Sequence, residues 1–175
     1  MSSYSFDPAH SEVTFKVKHL MISNVTGHFS SFEATVESEK EDFSDAKIDF
    51  HADVNSISTK NEQRDAHLKS ADFFDAENYP KMEFKSSNFK KVEGSSYKLE
   101  GELTIRGVSK SIVLDVEYAG TMSDPYGNEK HGFEIVGKIN RKDFGLNWSA
   151  VTEAGGIVVS DEVRILVDAQ FVKNQ

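Results

Sequence analysis

The chain contains no cysteine. That excludes a disulfide framework, a thiolate zinc site and a cysteine nucleophile. It also has no run approaching the about 18 consecutive apolar residues of a membrane-spanning helix, so stable membrane insertion is not expected. Basic charge is scarce: 20 lysines and arginines face 29 acidic residues, for a net charge of −9. Such a surface repels phosphate backbones and anionic bilayers, which argues against nucleic-acid or membrane-surface binding. The start, Met1 to Asp7, has neither a basic n-region nor an apolar h-region, and Ser2 stands where myristoylation needs glycine. The expected location is therefore cytoplasmic. There is no internal repeat, no low-complexity tract and no glycine-rich phosphate loop; Gly155-Gly156 is a lone pair that reads as a turn.

What the chain has in quantity is phenylalanine, 13 residues beside five tyrosines and the single Trp148. A length of 175 residues suits one domain, here 1–175, with a sizeable core. The aromatic wealth fits either a core built on phenylalanine or a ligand-lined cavity.

Period-two alternation dominates. Apolar residues occupy alternate positions in Val13–Val17, with His19 on the same parity, and in Ile48–Val54, Met82–Phe84, Tyr97–Ile105, Ile112–Tyr118, Phe133–Ile139 and Val163–Phe171. Between Val25 and Glu37 the phase switches at Ser30-Ser31, which predicts a bulge or kink of the kind that bends a sheet toward closure. Gly107 marks a turn, and Ser123 to Asn128 a loop. Eight strands, each with one apolar face, must hide those faces in two packed sheets or one closed barrel. Gly27, Gly101 and Gly137 fall at inward parity, where glycine suits a tight bend or a close approach.

One stretch breaks the strand pattern. Thr59-Lys60-Asn61-Glu62 fits a capping box opening a helix, and a second helical or turn segment is expected over 72–78, before Tyr79-Pro80. The inserted helical segment, near residues 60–78, is expected to lie across a barrel opening.

Few residues invite chemistry. His10, His19 and His28 are nine apart, and an odd spacing on a strand sends side chains to opposite faces; no metal-ligand motif is present. His10 and Ser11 are adjacent and so face apart, and no Gly-x-Ser-x-Gly elbow occurs. Neither a metal, a cofactor nor a catalytic residue is expected. Arg64, His67 and Leu68 share one helix face. Arg64 and His67 are expected either to present donors to a ligand head group or, for Arg64, to pin the helix to an acid on a strand end. Arg141, just after a strand, is expected to tie carbonyls across the closure.

These stretches resemble the YceI-like family of polyisoprenoid- or lipid-binding, lipocalin-like proteins. The resemblance lies in Phe6-Asp7-Pro8-Ala9-His10-Ser11, Phe15, Lys18-His19-Leu20 and Gly27-His28-Phe29. It continues through Thr59 with Arg64 to Asp75, Tyr79 to Phe84, Gly101 to Val108, and Arg141 to Gly145. It implies an all-β fold, an extended eight-stranded antiparallel barrel with an elongated apolar tunnel. It further implies binding of an isoprenoid, quinone tail, fatty acid or fatty amide as carrier or reservoir; it does not imply an enzyme, and among relatives it goes with a homodimer.

Parity then nominates the lining: Phe15 and Val17 on the first strand, Phe29 and Phe32 on the second, and Phe50 on the third. Met82 and Phe84 follow on the fourth, Leu103 and Ile105 on the fifth, and Leu114, Ile135 and Ile165 on the last three. Arg64, His67 and His19 are the candidate polar contacts at the mouth. Each buried methylene contributes about 0.8 kcal/mol gross, enough to hold a lipid without specific polar contacts. Such a lining discriminates poorly between chains of similar length. Two alternatives stand beside the binding module: an enzyme or isomerase using Arg64, Asp65 and His67 on a bound apolar substrate, and a stress-related interaction protein whose cavity is incidental.

Overall fold

The structure is a computed structural model and describes residues 2–19, 23–148 and 159–174. Gly155-Gly156 lies outside the described residues. The strands are β1 (Ser2–Phe6), β2 (Glu12–His19), β3 (Ser23–Phe29), β4 (Phe32–Ser38), β5 (Lys47–Asp53) and β6 (Ile57–Ser58). After helix α1 (Glu62–Lys69) come β7 (Lys81–Glu93), β8 (Ser96–Ile105), β9 (Val108–Ser123), β10 (Glu129–Asn140) and β11 (Val159–Lys173). No helix among the described residues is long and apolar enough to cross a membrane.

All pairings are antiparallel, and the ring closes. The order β1-β4-β5-β7-β8-β9-β10-β11 returns to β1 through Tyr4–Lys173 and Phe6–Phe171. Eight strands thus circle the base, and closure leaves none of them as a free edge. The remaining short strands continue three members of that ring. The β1/β2 strand is interrupted by a 3-10 turn at Pro8–His10, β3/β4 by Ser30-Ser31, and β5/β6 by a 3-10 turn at Val54–Ser56. The phase switch expected at Ser30-Ser31 is a strand break there, where the chain passes from pairing with β2 to pairing with β1.

The reason for β1 is visible only in the ring. Serines alternate with Tyr4 and Phe6, a pattern too short to count as a strand by itself, and pairing on both sides with β4 and β11 makes it one. Arg106 and Gly107 both have positive φ and join β8 to β9 in a two-residue turn, the backbone such hairpins favour.

The helix starts later than the sequence suggests. Asn61, not Thr59, caps it, its Oδ1 accepting the Arg64 backbone N–H at 3.0 Å. Thr59 is already committed: its hydroxyl and its backbone N–H both donate to Asp65 Oδ1, at 2.6 and 2.8 Å. The segment after α1 is a series of turns, held by bonds such as Phe74 N–H to Leu68 O and Ala76 N–H to Lys69 O.

The end of the barrel where β1 starts is closed by an aromatic plug. Phe43, in the loop after β4, is 2% exposed and meets the rings of Tyr4, Tyr118, His131 and Phe133 at centroid distances of 4.9–5.9 Å. That loop is fixed by Asp45, which accepts from the Ser38 hydroxyl and from the backbone N–H groups of Glu39 and Lys40. The Tyr97 hydroxyl closes it by donating to Asp42 O at 2.8 Å.

Candidate functional site

Above this aromatic plug the interior is not filled. On three adjacent strands the inward residues change from buried at the plug to half-buried toward α1. The sequence is His131 and Phe133, then Ile135 and Ile139, on β10; Phe171 and Ala169, then Ile165 and Val163, on β11; and Val13, then Phe15 and Val17, on β2. An inward side chain on a closed barrel is half-exposed only if it faces a void. That void is a cavity of about 540 Å³, inside the roughly 300–1,000 Å³ range of small-molecule pockets.

Its floor is the stacked pair Phe6 and Phe171, with ring centroids 4.6 Å apart, beside Phe50. The wall is aliphatic and aromatic. Of the expected lining residues, Phe15 and Val17 from β2, Phe29 from β3 and Phe50 from β5 face it. So do Met82 and Phe84 from β7, Leu103 and Ile105 from β8, and Leu114, Ile135 and Ile165 from β9, β10 and β11. Phe32 does not. It has the inward parity, but its ring packs edge-on against Phe6 at 5.4 Å. His19 ends β2, and its side chain lies outside the described residues.

The mouth is covered by α1 and the turns after it. Among the described residues β6 is paired only with β3, and the helix that follows packs against β6. Arg64, His67 and Leu68 all face the cavity, joined by Asn61 and Gln63 from the same segment. Arg64 Nε donates to Thr59 Oγ1 at 2.7 Å and Nη2 to Thr59 O at 2.8 Å. The expectation that Arg64 meets a strand-end acid is therefore corrected: its anchor is a threonine hydroxyl and carbonyl, with Asp65 behind the hydroxyl. His67 Nε2 lies 2.9 Å from Asp72 Oδ2, and its ring stands edge-on to Trp148 at 4.8 Å.

Trp148 and Phe73, 5.3 Å apart, complete the rim. Neither lies in an alternating stretch, so strand parity had no means of nominating them. Two arginines hold their segments in place. Arg106 donates to Phe73 O at 3.1 Å. Arg141, 3% exposed, sends Nη1 to Leu146 O and Trp148 O, both at 2.6 Å, and Nε to Ser160 O at 3.0 Å. It thus ties carbonyls across the closure. Burial pulls its pKa below the ordinary value, with Asp161 at 3.7 Å pulling the other way; a guanidinium stays charged regardless.

The other histidines singled out by spacing have local partners. His10 Nδ1 lies 2.9 Å from Asp7 Oδ2, and His28 Nδ1 lies 3.2 Å from Thr14 Oγ1. Ser11 Oγ accepts the Gln170 backbone N–H at 2.9 Å.

Comparison with known proteins places this architecture. A YceI-like domain matches residues 4–171. The UPF0312 protein SAS2572 of Staphylococcus aureus is 38% identical over 172 residues, covering 98% of each chain. The crystal structure of BcnA from Burkholderia cenocepacia superposes with a TM-score of 0.82 at 25% identity, over 94% of this chain and 98% of that one. A polyisoprenoid binding domain from Saccharophagus degradans, implicated in plant cell wall breakdown, has a TM-score of 0.71 at 16% identity over 98% of each chain. At that identity the likeness is one of fold alone.

Proposed function

The chain belongs to the YceI-like family, and on that premise we propose that its barrel binds a long apolar amphiphile in an elongated tunnel, as carrier or reservoir. The ligand class is an isoprenoid chain or comparable lipid tail, the chemistry for which the Saccharophagus degradans neighbour is named. The observation that carries the reading is the gradient on β10, β11 and β2, where inward apolar residues stop packing on one another and face open volume.

The energetics favour this class. Each methylene moved from water into the lining contributes about 0.8 kcal/mol gross. The cost of immobilising the ligand must be subtracted, and it is lowest when the site is already formed. Phe6, Phe171 and the plug below them make a fixed floor, so the chain enters tail first and its head stays at α1. There the lining carries Lys18, Asn61, Gln63, Arg64 and His67, and among the described residues no carboxylate. A head group that accepts hydrogen bonds suits that rim: a hydroxyl, a quinone carbonyl or an amide oxygen. These polar side chains sit at the mouth, Arg64 bonded to Thr59 and His67 to Asp72, while the depth is mostly hydrocarbon. That distribution suits retention of a ligand rather than its conversion.

Trp148 is the only tryptophan and faces the cavity, so its emission reads occupancy directly. Titration with geranylgeraniol or decylubiquinone is expected to give a saturable change at one ligand per chain. An emission spectrum indifferent to both compounds, in protein shown to be folded, would overturn the proposal.

A further inference from the structure

Three glycines occupy inward positions of the wall, and none of them has a positive φ. Their backbones therefore do not demand glycine; the space around them does. A Cβ on Gly27 would lie 2.1 Å from Phe15 Cζ, one on Gly137 would lie 2.2 Å from Leu114 Cδ2, and one on Gly101 would lie 2.4 Å from Phe84 Cζ. In each case the large side chain that lies across the glycine also faces the cavity. These side chains lie flat along the barrel wall, over a gap in the next strand, instead of reaching toward the axis.

Two of the glycines belong to one tier. Gly27 stands opposite Phe15, Phe15 opposite Ile165, and Ile165 opposite Gly137, across β3, β2, β11 and β10. Leu114 continues the tier, one place beyond the Val136–Asp115 pair. Glycine weakens a strand interior relative to alanine, so this tier accepts a local loss of stability and in return keeps its lumen open. We infer that Gly27 and Gly137, with Gly101, set the bore of the cavity and make it wide enough for a methyl-branched chain rather than only a linear one.

The physical step is short. A methyl at position 27 occupies the place of the Phe15 ring end. Phe29 stands on one side of that ring, at a centroid distance of 5.7 Å, and the free direction is the lumen. The same holds for Leu114 against position 137, where the atom met is the end of a flexible side chain. Gly101 differs, because a Cβ there also meets the backbone oxygen of Lys85 at 2.5 Å. Substitution at 101 would disturb the ladder itself, so the bore is tested at 27 and 137.

This inference rests on the reading of the cavity as a chain-binding site, and the experiment separates the two. Affinities for phytanol and for hexadecanol, both saturated alcohols on a sixteen-carbon backbone that differ only in the methyl branches of the former, are measured by Trp148 emission for the parent, Gly27→Ala and Gly137→Ala. The parent is expected to bind both. Each variant is expected to lose roughly tenfold or more for the branched probe, the scale of one misfitted group in an apolar pocket, with a much smaller loss for the linear one. Adding Phe15→Ala to Gly27→Ala is expected to restore the branched probe. An unchanged ratio of the two affinities in both variants, or equal loss of both probes, overturns the inference. If Gly27→Ala fails to fold, Phe15→Ala must restore folding; failure to do so means the glycine is not there for that ring, and also overturns it. A parent protein that binds neither probe instead overturns the proposed function.

Discussion

Replacing Arg141 by methionine keeps the aliphatic stem and removes the guanidinium, and its cost follows from what the guanidinium holds. Three well-formed bonds run to Leu146 O, Trp148 O and Ser160 O, with a longer one to Val159 O at 3.4 Å. A hydrogen bond to a charged group is worth about 1.5–3 kcal/mol net, so the three alone set an upper figure of about 4.5–9 kcal/mol. Against it stands the desolvation of a buried cation, several kcal/mol in practice, while each carbonyl left without a donor costs about 1–3 kcal/mol, which leaves a net loss of about 3–5 kcal/mol. That range is our expectation, a large share of the about 5–15 kcal/mol that holds a domain folded. Urea unfolding gives the loss from the shift in midpoint at constant slope. The same samples carry a second readout. With its carbonyl released, Trp148 should move away from His67 and Phe73, and its emission under native conditions should shift to the red. A loss below about 1 kcal/mol, the worth of an ordinary neutral hydrogen bond, with an unaltered Trp148 spectrum would mean that Arg141 does not hold the rim, and the reasoning would fail.

Phe43→Ala removes the centre of the aromatic plug and is expected to cost about 3–5 kcal/mol in chemical denaturation, the usual range for a buried phenylalanine. Because Phe43 does not face the cavity, prenyl stoichiometry in the surviving folded protein should be unchanged; loss of binding capacity would show that plug and cavity are one site. Phe15→Ala should cost distinctly less than Phe43→Ala, since one side of the Phe15 ring already faces a void, and equal costs would argue that the void is closed. The third expectation concerns pH. Bonds from the Ser38 hydroxyl and from the Glu39 and Lys40 backbone N–H groups, outweighing a smaller effect of burial, lower the Asp45 pKa from 3.8 to about 2. A carboxyl with a depressed pKa stabilises the fold fully above its unfolded value and loses that contribution as pH falls through the folded one. The stability gap between the parent and Asp45→Asn should therefore be constant near neutrality and shrink between 3.8 and about 2. A gap that stays constant across that window in acid denaturation would remove Asp45 from the account of the plug loop.

Alternation was enough to read most of the barrel, because each strand buries one face and a slip of one residue would turn that face outward. Val163 to Phe171 and Phe133 to Ile139 are plain examples, and the switch at Ser30-Ser31 marked the place where one long strand changes partner. Arg64 and His67 came from a shared helix face; the strand rule nominated twelve wall residues, eleven of which face the cavity. It did so without knowing how far along the axis each residue sits, and Phe32 shows the consequence. Parity turns it inward, but its level brings it onto Phe6 instead of into open volume. The rim was less legible. Trp148 and Phe73 reach the cavity from segments without periodicity, placed by arginine bonds to their own backbone carbonyls, and such side-chain-to-backbone ties leave no periodic signature. The cap of α1 was misread for a related reason: Thr59 and Asn61 both suit the role, and Thr59 is instead engaged by Asp65 and Arg64 from within the helix. The inward glycines were marked by the sequence as bends or close approaches. The structure selects close approach, and the partner in each case is a cavity side chain.

The central claim, an apolar amphiphile held inside the barrel, is tested most directly by native mass spectrometry of freshly purified protein, followed by organic extraction of whatever leaves it on unfolding. The expected result is a mass increment equal to one small molecule per chain, or uptake of one when geranylgeraniol or a fatty amide is offered, with the extracted compound carrying a long hydrocarbon tail. Protein that is folded, purifies at its bare mass and remains there when both compounds are supplied would contradict the claim, and the wall from Phe15 to Ile165 would then be the inner surface of an ordinary barrel.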